Sequence, residues 1–292
     1  MDRIDLKVPA KINLYLRVLD KRPDGYHNID SLMQTVSLYD ELTLEKANKI
    51  ELICDDLADV RQEKNLAFKA AVMLSQIADF PGVRITLKKH IPSGAGLGGG
   101  SADAAFVIRG LVKLYELRPN LPELLLKTAQ LGADVPFFLS LGQAQVGGIG
   151  ELVHDVILPM KYHVLLVKPS FSVNTAQAYG ELDKCRERKF CLTKSDFNTF
   201  LSKNITDQNF VRSVKEFIND LEEVVTSWHP ELSQVKNYLL NQGAFYAGMS
   251  GSGSTMYGLF LSVNAAEETA NVLLKQNYQI FVCTPILLPP VN

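Results

Sequence analysis

The sequence predicts an α+β protein of two domains. At 292 residues the chain is long enough for two domains of ordinary size. Segments with the alternation of strands and segments with helical spacing follow one another without an unbroken β-α-β rhythm, which is typical of two-layer α+β domains. We therefore expect an N-terminal domain of residues 1–155 and a C-terminal domain of residues 156–292.

The N-terminal half begins with extended chain. Apolar and polar residues alternate over residues 4–8 and, after Pro9, over residues 12–18, as in strands with one buried face. The second alternation places on the opposite face the side chains of Lys11, Asn13, Tyr15 and Arg17. After a turn at residues 22–25, the pattern predicts extended chain over 26–46, a helix over 65–77, a strand over 83–87 and helices over 104–115 and 122–131.

The C-terminal half mixes both patterns. Extended segments are predicted over residues 162–167, 244–249, 256–261 and 278–283. Helices are predicted over residues 209–226, 231–241 and 265–276.

Composition and charge argue against several classes of protein. The formal net charge of −2 lacks the basic excess of nucleic-acid-binding proteins. No apolar run could span a bilayer and residues 1–13 lack the apolar core of a signal peptide, so we expect a cytoplasmic protein without a membrane partner. No C-x-x-C or H-E-x-x-H pattern is present, so a zinc site is not expected, and reduced thiols are expected at Cys54, Cys185, Cys191 and Cys283.

Residues 91–105, IPSGAGLGGGSADAA, place five glycines within seven positions ahead of a predicted helix. The spacing of Gly94 to Gly99 fits a dinucleotide-binding loop, but Glu116, the acid at the required distance, ends the same helix with no strand between. A P-loop needs Lys followed by Ser or Thr after its last glycine, and Gly99 is followed by Gly100 and Ser101. A plain turn needs fewer glycines, so the segment favours a cradle of backbone N–H groups for an anion.

The segment PSGAGLGGGSADAA resembles the phosphate loop of the GHMP kinases. PAKINLYLRVLDKRPDGYHNIDSLMQTV near the start, LGADVPFFL, VNTAQAY and AGMSGSGSTMYGLF support the resemblance, which runs from Pro9 to Phe260. Departures are mild, since Asn174 stands where serine is more usual and Tyr257 replaces a common phenylalanine. The resemblance implies an N-terminal ATP-binding domain of the ribosomal protein S5-like type and a ferredoxin-like C-terminal domain.

The N-terminal stretch is similar to one branch of that family. This branch phosphorylates the 2-hydroxyl of 4-diphosphocytidyl-2-C-methyl-D-erythritol on the non-mevalonate route to isoprenoid precursors. The resemblance implies ATP and Mg²⁺ as cofactors, this small molecule as substrate and a monomer or weak homodimer. The alternatives are another small-molecule GHMP kinase, such as a homoserine or mevalonate kinase, and a non-catalytic nucleotide sensor on the same fold.

The resemblance also implies the nucleotide site. The glycine-rich loop and the helix behind it would bind the ATP phosphates, and Asn65 would help to hold the adenine. Ser101 would be a magnesium or phosphate ligand, the N-cap of the helix, or both. The residues expected at the nucleotide are Asn65, Pro92, Ser93, Gly94, Ala95, Gly96, Leu97, Gly98, Gly99, Gly100, Ser101 and Ala102.

Lys11 and Asp134 are the expected catalytic pair. A carboxylate can accept the proton of an attacking hydroxyl, and a neighbouring ammonium keeps that carboxylate ionised. Each residue has a plainer interpretation, as a solvated strand lysine and as a helix N-cap. The sequence does not show the two side chains meeting; the resemblance implies that they do.

Five residues are expected at the acceptor substrate: Asn13, Tyr26, His27, Thr175 and Tyr179. Tyr26 and Tyr179 would clamp the cytosine ring, with His27 contacting its edge. The alternative is that these are half-buried tyrosines on a sheet and a histidine in a turn. Residues 251–254, GSGS, would support the substrate or phosphate side, or would only turn a hairpin.

Overall fold

The computed structural model describes residues 1–54, 62–189 and 207–291. Within them lie two separate β-sheets with helices packed against each, which confirms the predicted α+β class. The strands of the first sheet all precede residue 156 and those of the second all follow it, while the domain boundary itself stays a prediction. Cys191, expected as a reduced thiol, lies outside the described residues.

The first sheet is built on one long hairpin. Its six strands are β1 (Arg3–Lys21), β2 (His27–Lys46), β3 (Ile50–Ile53), β4 (Val83–Lys88), β5 (Gln143–Gly148) and β6 (Leu152–Asp155). One edge of β2 pairs antiparallel with β1, while its other edge pairs with β5 at residues 29–34 and with β4 at residues 41–46. β3 extends the sheet beside β4 in parallel, and β6 extends it beside β5.

Three helices pack with this sheet around one hydrophobic core: α1 (Leu66–Ser75), α2 (Gly99–Leu114) and α3 (Leu121–Leu131). Asparagine side chains cap two of them, because Asn65 accepts the N–H of Ala67 at α1 and Asn120 accepts the N–H of Glu123 at α3. Gly110 of α2 lies where the side chains of Leu6 and Leu44 meet the helix, so it allows α2 to approach β1 and β2 closely.

The second sheet has four antiparallel strands in the order β10-β7-β9-β8. The strands are β7 (His163–Lys168), β8 (Tyr246–Met249), β9 (Met256–Phe260) and β10 (Gln279–Cys283). Its described helices are α4 (Thr175–Lys189), α5 (Asp207–Ser213), α6 (Glu222–Trp228), α7 (Pro230–Asn241) and α8 (Val263–Leu273). Helices separate β7 from β8 and β9 from β10, the connectivity of a ferredoxin-like domain, as expected.

A second hydrophobic cluster joins the two halves. It includes, from the first half, Ala10, Ile12, Leu14, Ala95 and Leu97 and, from the second, Val164, Leu166, Tyr257 and Leu259. The Tyr257 hydroxyl also donates to the carbonyl oxygen of Asn13 at 3.0 Å. β1 and the glycine-rich loop thus share this core with the second sheet. Both segments are packed at the junction of the two halves.

The structure corrects several element predictions. β1 is one strand through Pro9, because a proline is tolerated where only one strand edge pairs and the register shifts between Pro9 and Ala10. The helix predicted over residues 209–226 is broken between α5 and α6, because Ile218 and Asn219 leave the helix to bond to Leu16 and to residues 249–251. Helix α4 and strands β3, β5 and β6 were not predicted, since α4 buries few apolar residues and β5 is rich in glycine and glutamine. No helix within the described residues is long and apolar enough to cross a membrane.

Candidate nucleotide and phosphoryl-transfer site

The glycine-rich loop ends at the N-terminus of α2. Gly94, Gly96 and Gly98 all have positive φ, of 60°, 75° and 71°, which side-chain-bearing residues rarely adopt. Gly98 is the N-cap of α2, and Ser101 is the third residue of the helix. The N-cap interpretation of Ser101 is therefore wrong, because the left-handed conformation that ends the loop is taken by Gly98.

The carbonyl groups of this loop are held by the rest of the protein. The Ser250 hydroxyl donates to the Gly96 carbonyl at 2.8 Å and accepts the N–H of Asn13 at 3.2 Å. The N–H of Lys11 donates to the Leu97 carbonyl at 2.9 Å. A Cβ at Gly96 would collide with the carbonyl oxygen of Ser250, so only glycine fits there.

The N–H groups of the loop have no such partners. Among the residues that the structure describes, the N–H groups of residues 93–101 donate no hydrogen bond to the protein. They lie at the start of a 16-residue helix, whose aligned peptide dipoles add positive potential at this end. Held carbonyls and unused N–H groups make the loop a backbone cradle for an anion such as a phosphate.

Lys11 and Asp134 meet beside this cradle. The Lys11 Nζ lies 3.3 Å from Asp134 Oδ2 and donates to Asn13 Oδ1 at 2.5 Å. Lys11 is 3% exposed, so it is a buried lysine and not a solvated one, whereas the Asp134 side chain is 27% exposed. A Cβ at Gly98 would come within 3.0 Å of Lys11 Cγ, so the glycine makes room for the lysine side chain.

Arg109 holds the chain that follows Asp134. From α2, its guanidinium donates to the carbonyl oxygens of Phe138 at 2.8 Å and Ser140 at 2.7 Å. Burial lowers the pKa of Arg109 to about 10, although the carboxylate of Asp155 acts against this shift. The helix that begins at the phosphate cradle is thus tied to the segment that carries the candidate base. Asp134 does not cap the short helical turn that follows, whose N-cap is Pro136.

A buried ion cluster lies behind the first turn of α2. The Lys89 ammonium contacts the carboxylates of both Asp40 and Asp103, and Asp40 also accepts the N–H groups of His90 and Ile91. Burial raises the pKa of the Asp103 carboxyl to about 7, with Lys89 acting in the opposite direction. The cluster fixes the approach of the chain to the cradle, and no local sequence pattern links its three residues.

The residues expected at cytosine lie at the turn between β1 and β2 and on α4. His27 packs against Tyr179, with ring centroids 5.3 Å apart and planes tilted by 32°. The His27 Nε2 bonds to Asp183 at 2.7 Å, and Lys21 bonds to the same carboxylate at 2.8 Å. Tyr26 is 62% exposed, so its ring is free to receive a partner.

The charge of Asp134, one of the candidate catalytic residues, is felt at this end of the site. Burial raises the pKa of the Tyr179 hydroxyl to about 12, and the carboxylates of Asp134 and Asp220 add to the shift. The Thr175 hydroxyl, at the start of α4, hydrogen bonds to the Ser252 hydroxyl at 2.7 Å. Residues 251–254 do turn the hairpin between β8 and β9, and they also reach this second part of the site.

The structure brings most of the predicted residues into one region. Asn13 contacts Lys11, and Ser250 bridges Asn13 and the cradle. Asn65 caps α1 with its side-chain oxygen, and among the described residues its side chain makes no hydrogen bond to the loop. Sequence reasoning missed Ser250, Asp183 and the cluster of Asp40, Lys89 and Asp103. The sequence could have indicated Asp183, because this residue lies four positions after Tyr179 and hence on the same face of a helix.

Comparison with known proteins shows the family of the chain. The family model for the GHMP kinases N terminal domain matches residues 65–142, and the model for the GHMP kinases C terminal domain matches residues 204–279. The 4-diphosphocytidyl-2-C-methyl-D-erythritol kinase of Syntrophus aciditrophicus is 40% identical over 94% of this chain and 96% of its own length. The chain belongs to this kinase family.

Two solved structures match the chain at different levels of sequence identity. A crystal structure of a 4-(cytidine 5'-diphospho)-2C-methyl-D-erythritol kinase matches with a TM-score of 0.78 and 32% identity, covering 97% of this chain and 99% of that chain. A homoserine kinase from Cytophaga hutchinsonii matches with a TM-score of 0.71 at 18% identity, covering 98% of this chain and 96% of that chain, which shows a shared fold alone. Membership makes the protein an ATP-dependent kinase of isoprenoid precursor synthesis, and a homoserine kinase, a mevalonate kinase or a non-catalytic sensor is not favoured.

Proposed function

We propose that the protein transfers the γ-phosphoryl group of ATP to the 2-hydroxyl of 4-diphosphocytidyl-2-C-methyl-D-erythritol, with Asp134 as the general base. The observation that carries this proposal is the contact of 3.3 Å between Lys11 and Asp134 beside a row of unused N–H groups. Phosphoryl transfer needs charge neutralisation and in-line positioning more than covalent participation, and these groups supply both.

The glycine-rich loop binds the ATP phosphates. Its N–H groups at residues 93–101 donate to phosphate oxygens, and the N-terminus of α2 adds a favourable potential. Because Ser250 and Lys11 already hold the loop carbonyls, the cradle is preorganised and little conformational entropy is lost on binding. Within the part of the chain that the structure describes, the amide N–H₂ of Asn65, at the start of α1, donates to no protein acceptor, and we assign it to the adenine side.

Asp134 accepts the proton of the acceptor hydroxyl as the new P–O bond forms. The Lys11 ammonium, 3.3 Å from this carboxylate, stabilises the negative charge that develops on the attacking oxygen. Asn13 orients Lys11 by accepting one of its three N–H donors, and it is itself fixed by donating to the Ser31 hydroxyl at 2.8 Å.

Magnesium fits the site as an ion carried mainly by the nucleotide. No group of three or more His, Cys, Asp or Glu side chains within the described residues could hold a metal ion, and Mg²⁺ commonly takes one or two protein oxygens with phosphates and water. The Ser101 hydroxyl, in the first turn of α2, is the protein oxygen that we assign to it. When bound, the ion neutralises charge on the transferring phosphates.

The acceptor lies between β1 and α4. The rings of Tyr26 and Tyr179 take the cytosine, and His27 contacts its edge from the side of Tyr179. The hydroxyls of Thr175, at the start of α4, and of Ser252, in the hairpin between β8 and β9, receive the diphosphate, since a helix N-terminus favours an anion. This arrangement would lead the 2-hydroxyl toward Asp134.

An ADP-release assay on the purified protein tests the proposal. The acceptors are 4-diphosphocytidyl-2-C-methyl-D-erythritol, its uridine analogue, methylerythritol 4-phosphate, homoserine and mevalonate. We expect turnover with the first and poor turnover with the others, because the uracil edge reverses two of the hydrogen-bonding groups of cytosine. Equal turnover of the uridine analogue, or preference for homoserine or mevalonate, would reject the assigned acceptor.

A further inference from the structure

Lys168 is a buried lysine with no carboxylate beside it. It ends β7, is 5% exposed, and its ammonium donates to the carbonyl oxygens of Pro169 at 2.6 Å and Phe171 at 2.7 Å. Within residues 1–54, 62–189 and 207–291, no Asp or Glu oxygen lies within 4.0 Å of the Lys168 ammonium nitrogen, the distance that an ion pair requires. Lys11 and Lys89, also largely buried, both contact carboxylates.

A buried charge without a counter-charge is unfavourable. Carbonyl dipoles replace part of the lost hydration of the Lys168 ammonium, but they carry no net negative charge. Burial accordingly lowers the pKa of Lys168. An anion that binds nearby would be stabilised by this charge and would itself stabilise the charged form of the lysine.

The segment that Lys168 holds reaches both glycine-rich parts of the site. The Phe171 carbonyl accepts the Lys168 ammonium and also the Ser254 hydroxyl, the latter at 2.7 Å. A Cβ at Gly94 would be 3.2 Å from the Ser172 hydroxyl, so this residue lies against the nucleotide loop. The same segment then enters α4 at Thr175, which bonds to Ser252.

We propose that Lys168 is a positioning residue for the acceptor, which holds the start of α4 against residues 252–254 and places a buried positive charge behind the pocket for the acceptor's diphosphate. The inference rests on the proposed function. The segment bonds through Thr175 and the Phe171 carbonyl to Ser252 and Ser254 on the acceptor side, whereas Ser172 lies against the nucleotide loop. A diphosphate is common to both ligands, so the test compares CDP, a fragment of the acceptor, with ADP.

The test uses Lys168→Met, which keeps an unbranched side chain without charge or donors, and Lys168→Arg, which keeps the charge. Lys275→Met, at an exposed lysine between α8 and β10, is the matched control. We expect Lys168→Met to weaken CDP binding, measured by calorimetry, about tenfold. ADP affinity should stay within about twofold, Lys168→Arg should recover part of the loss, and Lys275→Met should have no effect. In steady-state assays the KM for the acceptor should rise more than kcat falls.

Each other outcome has a distinct meaning. Unchanged CDP affinity in Lys168→Met overturns the inference, and equal weakening of CDP and ADP shows a general packing role and overturns it as well. A wild-type protein that binds ADP but not CDP rejects the proposed acceptor, which separates that failure from the failure of Lys168.

A second measurement needs no variant. In the wild-type protein with isotope-labelled lysine, NMR titration reports the ionisation of the Lys168 ammonium with and without CDP. We expect the pKa of Lys168 to rise when CDP binds, because the diphosphate favours the charged form. An unchanged pKa with CDP bound would contradict the inference even if Lys168→Met failed to fold.

Discussion

The two ends of the site are built from different parts of the chain. At the end that we propose for phosphoryl transfer, backbone atoms form the surface, and the glycines of positive φ include Gly96 against Ser250 and Gly98 against Lys11. At the end that we propose for cytosine, side chains form the surface, and Tyr26 and the pair of His27 and Tyr179 extend from a turn and from α4.

This difference separates chemistry from recognition. The phosphates of ATP are common to every ATP-dependent kinase, and a backbone cradle binds phosphate without regard to what else the ligand carries. The base must be read by particular side chains, which can change without moving the cradle. We therefore expect changes at the first end to affect turnover and nucleotide binding, and changes at the second to affect the acceptor alone.

The largest expected effect is at Asp134. Asp134→Asn should lower kcat by about 10²–10⁴, the usual contribution of a general base, while ATP binding and the thermal transition remain near those of the wild type. Lys11→Ala should also lower kcat strongly. Because the pair acts as a unit, the double variant should be far less impaired than the product of the two single effects. Near-normal kcat in Asp134→Asn would remove it from the role of base.

The next effect concerns the shape of the cradle. Gly98→Ala places a Cβ 3.0 Å from the Lys11 side chain and 3.1 Å from the Phe138 ring. The variant also needs a left-handed backbone at alanine, which costs about 1–2 kcal/mol. We expect a lower unfolding free energy and a much larger loss of ATP affinity, since the lysine and the N–H groups move together. Gly243→Ala is the control, because Gly243 also has a positive φ, of 94°, but lies outside the loop, and its Cβ would meet nothing within 4 Å. Equal ATP affinity in both variants would mean that the loop does not hold the phosphates.

The two ends also differ in how far the sequence could predict them. Five glycines before a helix predict an anion cradle from local residues alone. The structure changes this prediction only by placing the N-cap of the helix at Gly98, three positions before Ser101. The contact of Lys11 with Asp134 spans more than a hundred positions, and only the resemblance implied it. Because helix α4 was not predicted, the four-residue spacing of Tyr179 and Asp183 went unused, and the contacts that both make with His27 join distant parts of the chain. Such contacts depend on the docking of the two sheets, which no local pattern records.

A smaller effect is expected at Tyr26. Because its ring is exposed, Tyr26→Ala should leave stability nearly unchanged. Loss of stacking, worth about 1–3 kcal/mol per base, should raise the KM for the acceptor about tenfold or more with the KM for ATP unchanged. Tyr26→Phe keeps the ring and should behave as the wild type. A rise in the KM for ATP in Tyr26→Ala would break the separation of the two ends.

The smallest expected effect concerns the charges that order the cytosine end. Burial alone would raise the pKa of Asp183, but the hydrogen bonds from Lys21 and His27 outweigh burial and lower it. The folded-state pKa therefore lies below the unfolded value near 3.8, so the carboxylate contributes stability above that pH and loses the contribution as pH falls through the folded pKa.

Asp183→Asn removes this dependence of stability on pH. We expect the variant to be less stable than the wild type by about 1 kcal/mol near pH 7, with the difference shrinking below about pH 4. Thermal unfolding of both proteins from pH 3 to pH 7 measures the difference, and a constant offset over that range would show that Asp183 acts through packing rather than charge. The acceptor KM should rise only slightly in the same variant, because His27 keeps its contact with Tyr179 when the carboxylate is replaced by an amide of the same shape.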